Sequence, residues 1–254
     1  MEKILERIIK NIKFKHVNND EIANNNLYYN FRKYIFYLFG LIQYQEIRHF
    51  TFFQNTETLI KKEELDFLKK KLKSIEGMST IANAWIINQI SQNLKPNQNY
   101  LNIGCWKGFS LIAGMINTNC NVYGVDNFAW KDYGKKNFYN NFDKFKDSNK
   151  HFFHEGDYVE YLKKWEKKKE YIDFYFYDGP HTFKDQYQSL ELGSQFFKSG
   201  TLILVDDTNW KEPREATMEF IKKNSNKYRV LQDLKCKHAR HPTYWNGLII
   251  FEKT

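Results

Sequence analysis

The sequence predicts a doubly wound α/β fold: a mostly parallel sheet with helices on both faces, an antiparallel C-terminal hairpin, and an N-terminal helical extension. Three observations predict it. From residue 100 onward, short apolar runs alternate with segments of helical spacing. The first run ends in a glycine turn, Gly104 to Gly108, that leads into an apolar helix. The last two runs, 227–234 and 244–252, are joined with no room for a helix, so they must pair antiparallel.

Each element has its own signal. Residues 1–12 form a short amphipathic helix with Ile4, Ile8, Ile9 and Ile12 on one side. The Asn-rich stretch 18–26 reads as loop. Residues 27–53 are rich in aromatics and partly helical in pattern; they read as packing on the main domain, as a lid over a substrate pocket, or as a dimer contact. Residues 58–72 predict a helix with Leu59, Leu65, Leu68 and Leu72 as its stripe. After the break Gly77-Met78-Ser79, Ser79 or Thr80 caps a helix over 81–94 that Pro96 ends. The boundary between extension and α/β domain falls at 76/77.

The alternation then runs regularly. Strands are expected at 100–103, 121–126, 151–155, 171–178 and 201–206. Helices follow at 108–117, 131–145, 159–168, 183–197 and 213–224. Asp126, Asp178, Asp206 and Asp207 all stand at strand ends, and in such sheets ligands bind outside the carboxyl ends of the strands.

Composition limits the function. The net charge is +9, which favours encounter with anionic partners, although Lys runs that alternate with acids read most simply as a solvated surface. Three widely spaced cysteines form neither a metal pair nor a disulfide framework, as expected of a cytoplasmic protein. No signal peptide stands out, and the most apolar run, 34–42, is far short of the ~20 residues that span a bilayer.

Four groups carry chemistry. The first is Asn102-Ile-Gly104-Cys-Trp106-Lys-Gly108-Phe-Ser110, where glycines let a ligand approach the backbone. A dinucleotide fingerprint needs its second glycine where Trp106 stands, which argues against a nicotinamide cofactor. The second is Asp126 with Asn127, about 20 positions beyond the turn and placed to accept from a ribose hydroxyl pair. The third is Glu155-Gly156-Asp157, which holds an adenine edge or caps the next helix. The fourth is Asp178-Gly-Pro-His181 with Asp206 and Asp207. Three carboxylates after apolar runs are costly unless they bind something, and oxygen ligands suit Mg2+. Adjacent strand residues point to opposite faces, so Asp206 and Asp207 share an ion only if the chain turns there. His181 suits a general base or a hydrogen-bonded structural role.

In order, LNIGCWKGFS, VYGVD and FYFYDGPHTFKDQYQSLELGSQFFKSGTLILVDD resemble the class I S-adenosylmethionine-dependent methyltransferases with a Rossmann-like sheet. Within these the chain is most similar to the macrocin O-methyltransferase-like group, and more distantly to catechol O-methyltransferase. The resemblance covers about 77–252 and implies S-adenosylmethionine as cofactor. Gly104, Trp106, Gly108 and Ser110 would then face its methionine part, Asp126 and Asn127 its ribose, and Gly156 and Asp157 its adenine, and Met78 matches a position that touches the cofactor. Asp178 would adjoin the cofactor. Asp178, Asp206 and Asp207 fall where metal-dependent members hold Mg2+, and His181 where they carry the catalytic base. Asn102 departs from the pattern, because an acid usually stands there.

The expected function is O-methylation of a small-molecule, sugar or phosphorylated acceptor in surface-polysaccharide or natural-product biosynthesis. The loop 235–244, with Lys235, Lys237 and Arg240, either binds an anionic acceptor or is simply solvated. Two alternatives remain: a nucleic-acid methyltransferase, for which no NPPY-like motif or aromatic RNA-binding signature is present, and a non-catalytic cofactor-binding protein of the same fold. A homodimer is compatible with the sequence.

Overall fold

The computed structural model describes residues 2–15, 54–130 and 133–254. The aromatic stretch 27–53, with the lid and dimer readings attached to it, lies outside the described residues.

Helix α1 (Glu2–Asn11) runs straight into β1 (Ile12–Phe14), which pairs antiparallel with β2 (Thr56–Thr58). The buried stripe of α1 is Leu5 and Ile8, continued by Ile12 of β1, while Ile4 is exposed. The inward face keeps Ile8 and Ile12 of the expected stripe, with Ile9 partly buried beside them, and Leu5 takes the place of Ile4. Helix α2 (Lys62–Leu72) is shorter than the 58–72 pattern because Thr58 is claimed by β2, and Leu59 is left exposed. Leu65, Leu68 and Leu72 face inward as the spacing predicts.

Helix α3 (Ile81–Gln92) starts at Thr80, whose hydroxyl accepts from Asn83 N at 3.3 Å. It is buried almost all round, so its polar side chains need partners. Asn88 Nδ2 donates to the carbonyls of Ala113 and Ile116, both at 2.8 Å. This pair of bonds pins α3 to the end of α4.

The main sheet follows. In chain order its elements are β3 (Asn99–Ile103), α4 (Phe109–Met115), β4 (Asn121–Asp126), α5 (Tyr133–Phe145), β5 (His151–Glu155), α6 (Tyr158–Trp165), β6 (Ile172–Tyr177), α7 (Phe183–Ser194), β7 (Phe197–Val205), α8 (Lys211–Lys223), β8 (Tyr228–Leu234) and β9 (Leu248–Lys253). The strand order is β5-β4-β3-β6-β7-β9-β8. The first five strands pair in parallel, and β9 pairs antiparallel with both β7 and β8. The order reverses at β3, which opens a crevice between the carboxyl ends of β3 and β6.

Burial follows the two-residue period of the strands. Tyr100, Val122, Phe174, Phe176, Leu202 and Leu204 face the core that α1 to α5 cover. Leu101, Ile103, Val125, Tyr175, Tyr177, Ile203 and Val205 face the core under α6 to α8. The N-terminal elements therefore share one core with the α/β elements.

Two boundaries moved. Strand β7 begins at Phe197, before the Ser199-Gly200 pair that reads as a turn. A register shift absorbs that pair between Ile172↔Phe197 and Phe174↔Leu202, with Gly200 at φ 84°. Strand β9 begins only at Leu248, because Trp245 (φ 61°) and Gly247 (φ 84°) turn the chain first.

Candidate active site

The carboxyl ends of β3, β4, β6 and β7 are stitched together by backbone bonds. Gly104 N donates to Val125 O (2.9 Å), Asp178 N to Ile103 O (2.8 Å) and Asp206 N to Tyr177 O (3.1 Å). These bonds bring four carboxylates and one histidine to one mouth.

The glycine turn is held from below. Asp126 Oδ2 accepts from both Cys105 N and Trp106 N at 2.7 Å, and its Oδ1 accepts from Phe128 N at 2.6 Å. The carboxylate expected to meet a ribose thus clamps its own backbone. Oδ1, with one bond made, keeps acceptor capacity for a hydroxyl. Asn102, where an acid is usual, is fully buried. It accepts from Tyr100 OH (3.1 Å) and donates to Gly104 O (3.0 Å). Its role here is to brace the turn.

Trp106 sits at φ 43°, and its ring packs edge-on against Trp130 at 5.7 Å. Next to it the buried Lys107 reaches Glu76 Oε2 at 2.6 Å, with its ammonium 4.6 Å from the Trp106 ring centroid. The Lys107–Glu76 pair fastens the turn to the segment before α3. Sequence reasoning missed it, since the partners lie 31 residues apart with no local pattern. Gly108 begins α4, Ser110 is buried in its first turn, and Met78 is partly exposed in the break before α3. Asn127 is exposed, and its Oδ1 accepts from Ala129 N (3.0 Å). Gly156 N donates to Asp126 O (3.0 Å), which places the β5 end beside β4. Asp157 caps α6 by accepting from Val159 N (2.8 Å) and Glu160 N (3.3 Å).

The carboxylate group differs from the sequence expectation in one member. Among the described residues, those that offer ligand atoms within 4.8 Å of one another are Asp178, His181 and Asp207. Asp206 stands apart from that group, and its Oδ1 accepts from Asp207 N at 2.8 Å. The chain turns here: Asp207 adopts φ 57°, and its carboxylate meets His181 while Asp206 bonds back to Asp207 N; both aspartates are buried. His181 Nε2 lies 2.9 Å from Asp207 Oδ2. Two further contacts complete the centre, both beyond the reach of local sequence pattern. Trp210 meets the His181 ring edge-to-face at 5.0 Å, and Asn246 Nδ2 donates to Asp207 Oδ1 at 2.6 Å.

The electrostatics are those of crowded carboxyl groups. Burial first, then repulsion from Asp206, Asp207 and Asp126, pushes the Asp178 carboxyl well above the ordinary carboxylate range. Burial and then Asp207 do the same to Asp206. Such a cluster favours a cationic ligand, which would relieve both effects.

The comparisons agree with this fold. The methyltransferase domain family matches residues 101–208. No curated protein sequence matches the chain. Among solved structures, an O-methyltransferase from Bacillus cereus in complex with SAH (S-adenosylhomocysteine) aligns with a TM-score of 0.56 at 15% identity, covering 77% of this chain and 93% of that one. The O-methyltransferase TomG from Streptomyces achromogenes, involved in tomaymycin synthesis and solved with SAM (S-adenosylmethionine), aligns with a TM-score of 0.54 at 11% identity, covering 77% and 92%. Residues 101–208 match the methyltransferase domain family, and the chain carries the fold of the class I S-adenosylmethionine-dependent methyltransferases.

Proposed function

We propose that this methyltransferase transfers a methyl group from S-adenosylmethionine to a hydroxyl of a small acceptor, with His181 as general base. The observation that carries the reading is the His181–Asp207 pair at 2.9 Å beside the crowded carboxyl of Asp178. The residues suit the cofactor. Asp126 Oδ1 has acceptor capacity for a ribose hydroxyl, and the grouped carboxyls favour a positively charged group. S-adenosylmethionine, when bound, supplies the methyl on a cationic sulfonium.

The chain's own part is positioning and proton transfer. With Asp207 ionised, the 2.9 Å contact requires Nε2–H as donor, which leaves Nδ1 of His181 to take the acceptor's proton. As the oxygen–methyl bond forms and the sulfur–methyl bond breaks, that proton passes to Nδ1. Asp207 stabilises the resulting imidazolium.

A second reading has its own observation. Asp178, His181 and Asp207 also fit a divalent ion such as Mg2+, whose bound form would lower the acceptor hydroxyl's pKa. One nitrogen cannot serve as ligand and as Asp207 donor together, so the two readings predict different metal dependence.

The basic loop residues Lys235, Lys237 and Arg240 favour an anionic or sugar-linked acceptor, as in surface-polysaccharide or natural-product assembly. The three cysteines are all free, which favours a reducing, cytoplasmic setting. Among the described residues no helix is long and apolar enough to cross a membrane.

Calorimetry with SAH and SAM tests the cofactor reading: binding is expected, and its absence would end the proposal. With an acceptor that is turned over, His181→Ala should slow transfer by about 10²–10⁴-fold while SAH affinity holds. Activity that survives EDTA favours the base reading over the metal reading.

A further inference from the structure

We infer that Asn246 is the positioning residue of the His181–Asp207 centre, and that through it the β8–β9 loop forms part of that centre. The inference rests on the reading of His181 and Asp207 given above.

Asp207 divides its carboxylate between two partners. Oδ2 faces His181 Nε2 (2.9 Å) and Oδ1 accepts from Asn246 Nδ2 (2.6 Å). An aspartate with one oxygen unheld can rotate about its terminal torsion and trade oxygens. The Asn246 bond removes that freedom. Asn246 cannot flip in turn, because its Oδ1 accepts from Arg240 N at 2.6 Å. A flipped amide would set its NH2 against the Arg240 N–H and its oxygen against the Asp207 carboxylate, which is two repulsions for two bonds. Asn246 is itself 3% exposed, so water does not substitute for either partner.

The backbone fixes Asn246 just as firmly. Asn209 N donates to Asn246 O (2.7 Å) and Thr208 N to Gly247 O (3.2 Å). The Asn209 side chain clips the other end of the loop, donating to Cys236 O and accepting from Cys236 N (3.1 Å). Gly247 is at φ 84°, and a Cβ there would lie 2.4 Å from Asn209 Oδ1. Within the loop, His241 and Trp245 exchange backbone bonds at 2.7 and 3.0 Å. The loop that carries Lys235, Lys237 and Arg240 is therefore moored on the Asp207–Asn209 segment at two points. The role assigned to Asn246 is to hold the Asp207 carboxylate against Nε2 of His181, and so to keep the proton on that nitrogen.

The test reads that proton directly, with no acceptor and no metal. Long-range 1H–15N spectra of the histidine rings are recorded on the full chain in EDTA at about pH 8, where an ordinary imidazole is neutral. His181→Gln assigns the resonance. The wild type should show His181 as a single Nε2–H tautomer. Asn246→Ala, and Asn246→Leu, which keeps the volume, should lose it and show a mixture or the Nδ1–H form. SAH affinity by calorimetry should stay within about twofold, because Asn246 touches no cofactor residue. If either folded variant keeps the single Nε2–H tautomer, the role given to Asn246 is overturned while the His181–Asp207 pair stands. If the wild type lacks the Nε2–H tautomer, the pair itself fails and the inference falls with it.

Discussion

A Cβ placed on Gly104 would lie 1.9 Å from the carbonyl oxygen of Asp178. The first turn of the fold and the first carboxylate of the candidate centre are thus in backbone contact, across the crevice where the strand order reverses. Gly104 is at φ 84°, so an added side chain meets strain and collision together.

Gly104→Ala should therefore cost at least about 1–3 kcal/mol from the backbone conformation alone, with the clash in addition. Urea denaturation measures the loss, and SAH calorimetry on the remaining folded protein should show weakened binding. A midpoint equal to that of the wild type would mean the close approach is dispensable.

The Lys107–Glu76 pair predicts an asymmetry. Lys107 is 5% exposed in its side chain and Glu76 is 30% exposed. Glu76→Gln leaves a buried ammonium without this counter-charge, at a cost of about 3 kcal/mol. Lys107→Met leaves a carboxylate that water can reach and should cost less. Thermal denaturation of the two variants ranks them, and the reverse order would show that the pair is solvated.

His151 predicts a pH dependence. Its Nδ1 accepts from Asp147 N at 2.9 Å, and burial holds the ring below the ordinary histidine value. The unfolded chain then binds more protons in the window between the folded and unfolded values, so stability falls as the pH drops below about 6.5. His151→Gln should flatten the acid side of the stability curve from pH 6.5 downward. An unchanged slope would assign the acid loss to other groups.

The convergence of Asp178, His181 and Asp207 predicts a ranking for cations. In Mn2+ calorimetry, Asp178→Asn and Asp207→Asn should weaken binding by tenfold or more. Asp206→Asn should do so less, because Asp206 bonds to Asp207 N and stands outside the group. Equal losses from Asp206→Asn and Asp207→Asn would restore Asp206 as a ligand. No binding to the wild type would leave His181 as a base without a metal.

Most of the α/β frame was legible because parallel sheets repeat a local signal. The 121–126 and 151–155 strands match their predicted bounds, since each is a short apolar run closed by an acidic residue or a turn. The hairpin pairing of β8 with β9 followed from connection length. The N-terminal segment was less legible. Strand β2 exists only because Thr56–Thr58 finds Ile12–Phe14 more than forty positions earlier, and no local pattern announces that partner.

The candidate centre divides the same way. Sequence alone determined that Gly104, Asp126, Asp178, His181, Asp206 and Asp207 stand at strand ends, because strand ends are set by hydrophobic period and turn residues. Tertiary structure decided what each one touches. At the left-handed Asp207 the residues that converge are Asp178, His181 and Asp207, while Asp206 bonds back to Asp207 N. Asp126 turned to its own glycine turn because three backbone N–H groups converge on it. Asn246 entered from a loop 39 residues beyond Asp207, and Lys107 found Glu76 behind the turn. Such contacts depend on distances in space between segments remote in the chain. A one-dimensional pattern carries periods and spacings but not those distances.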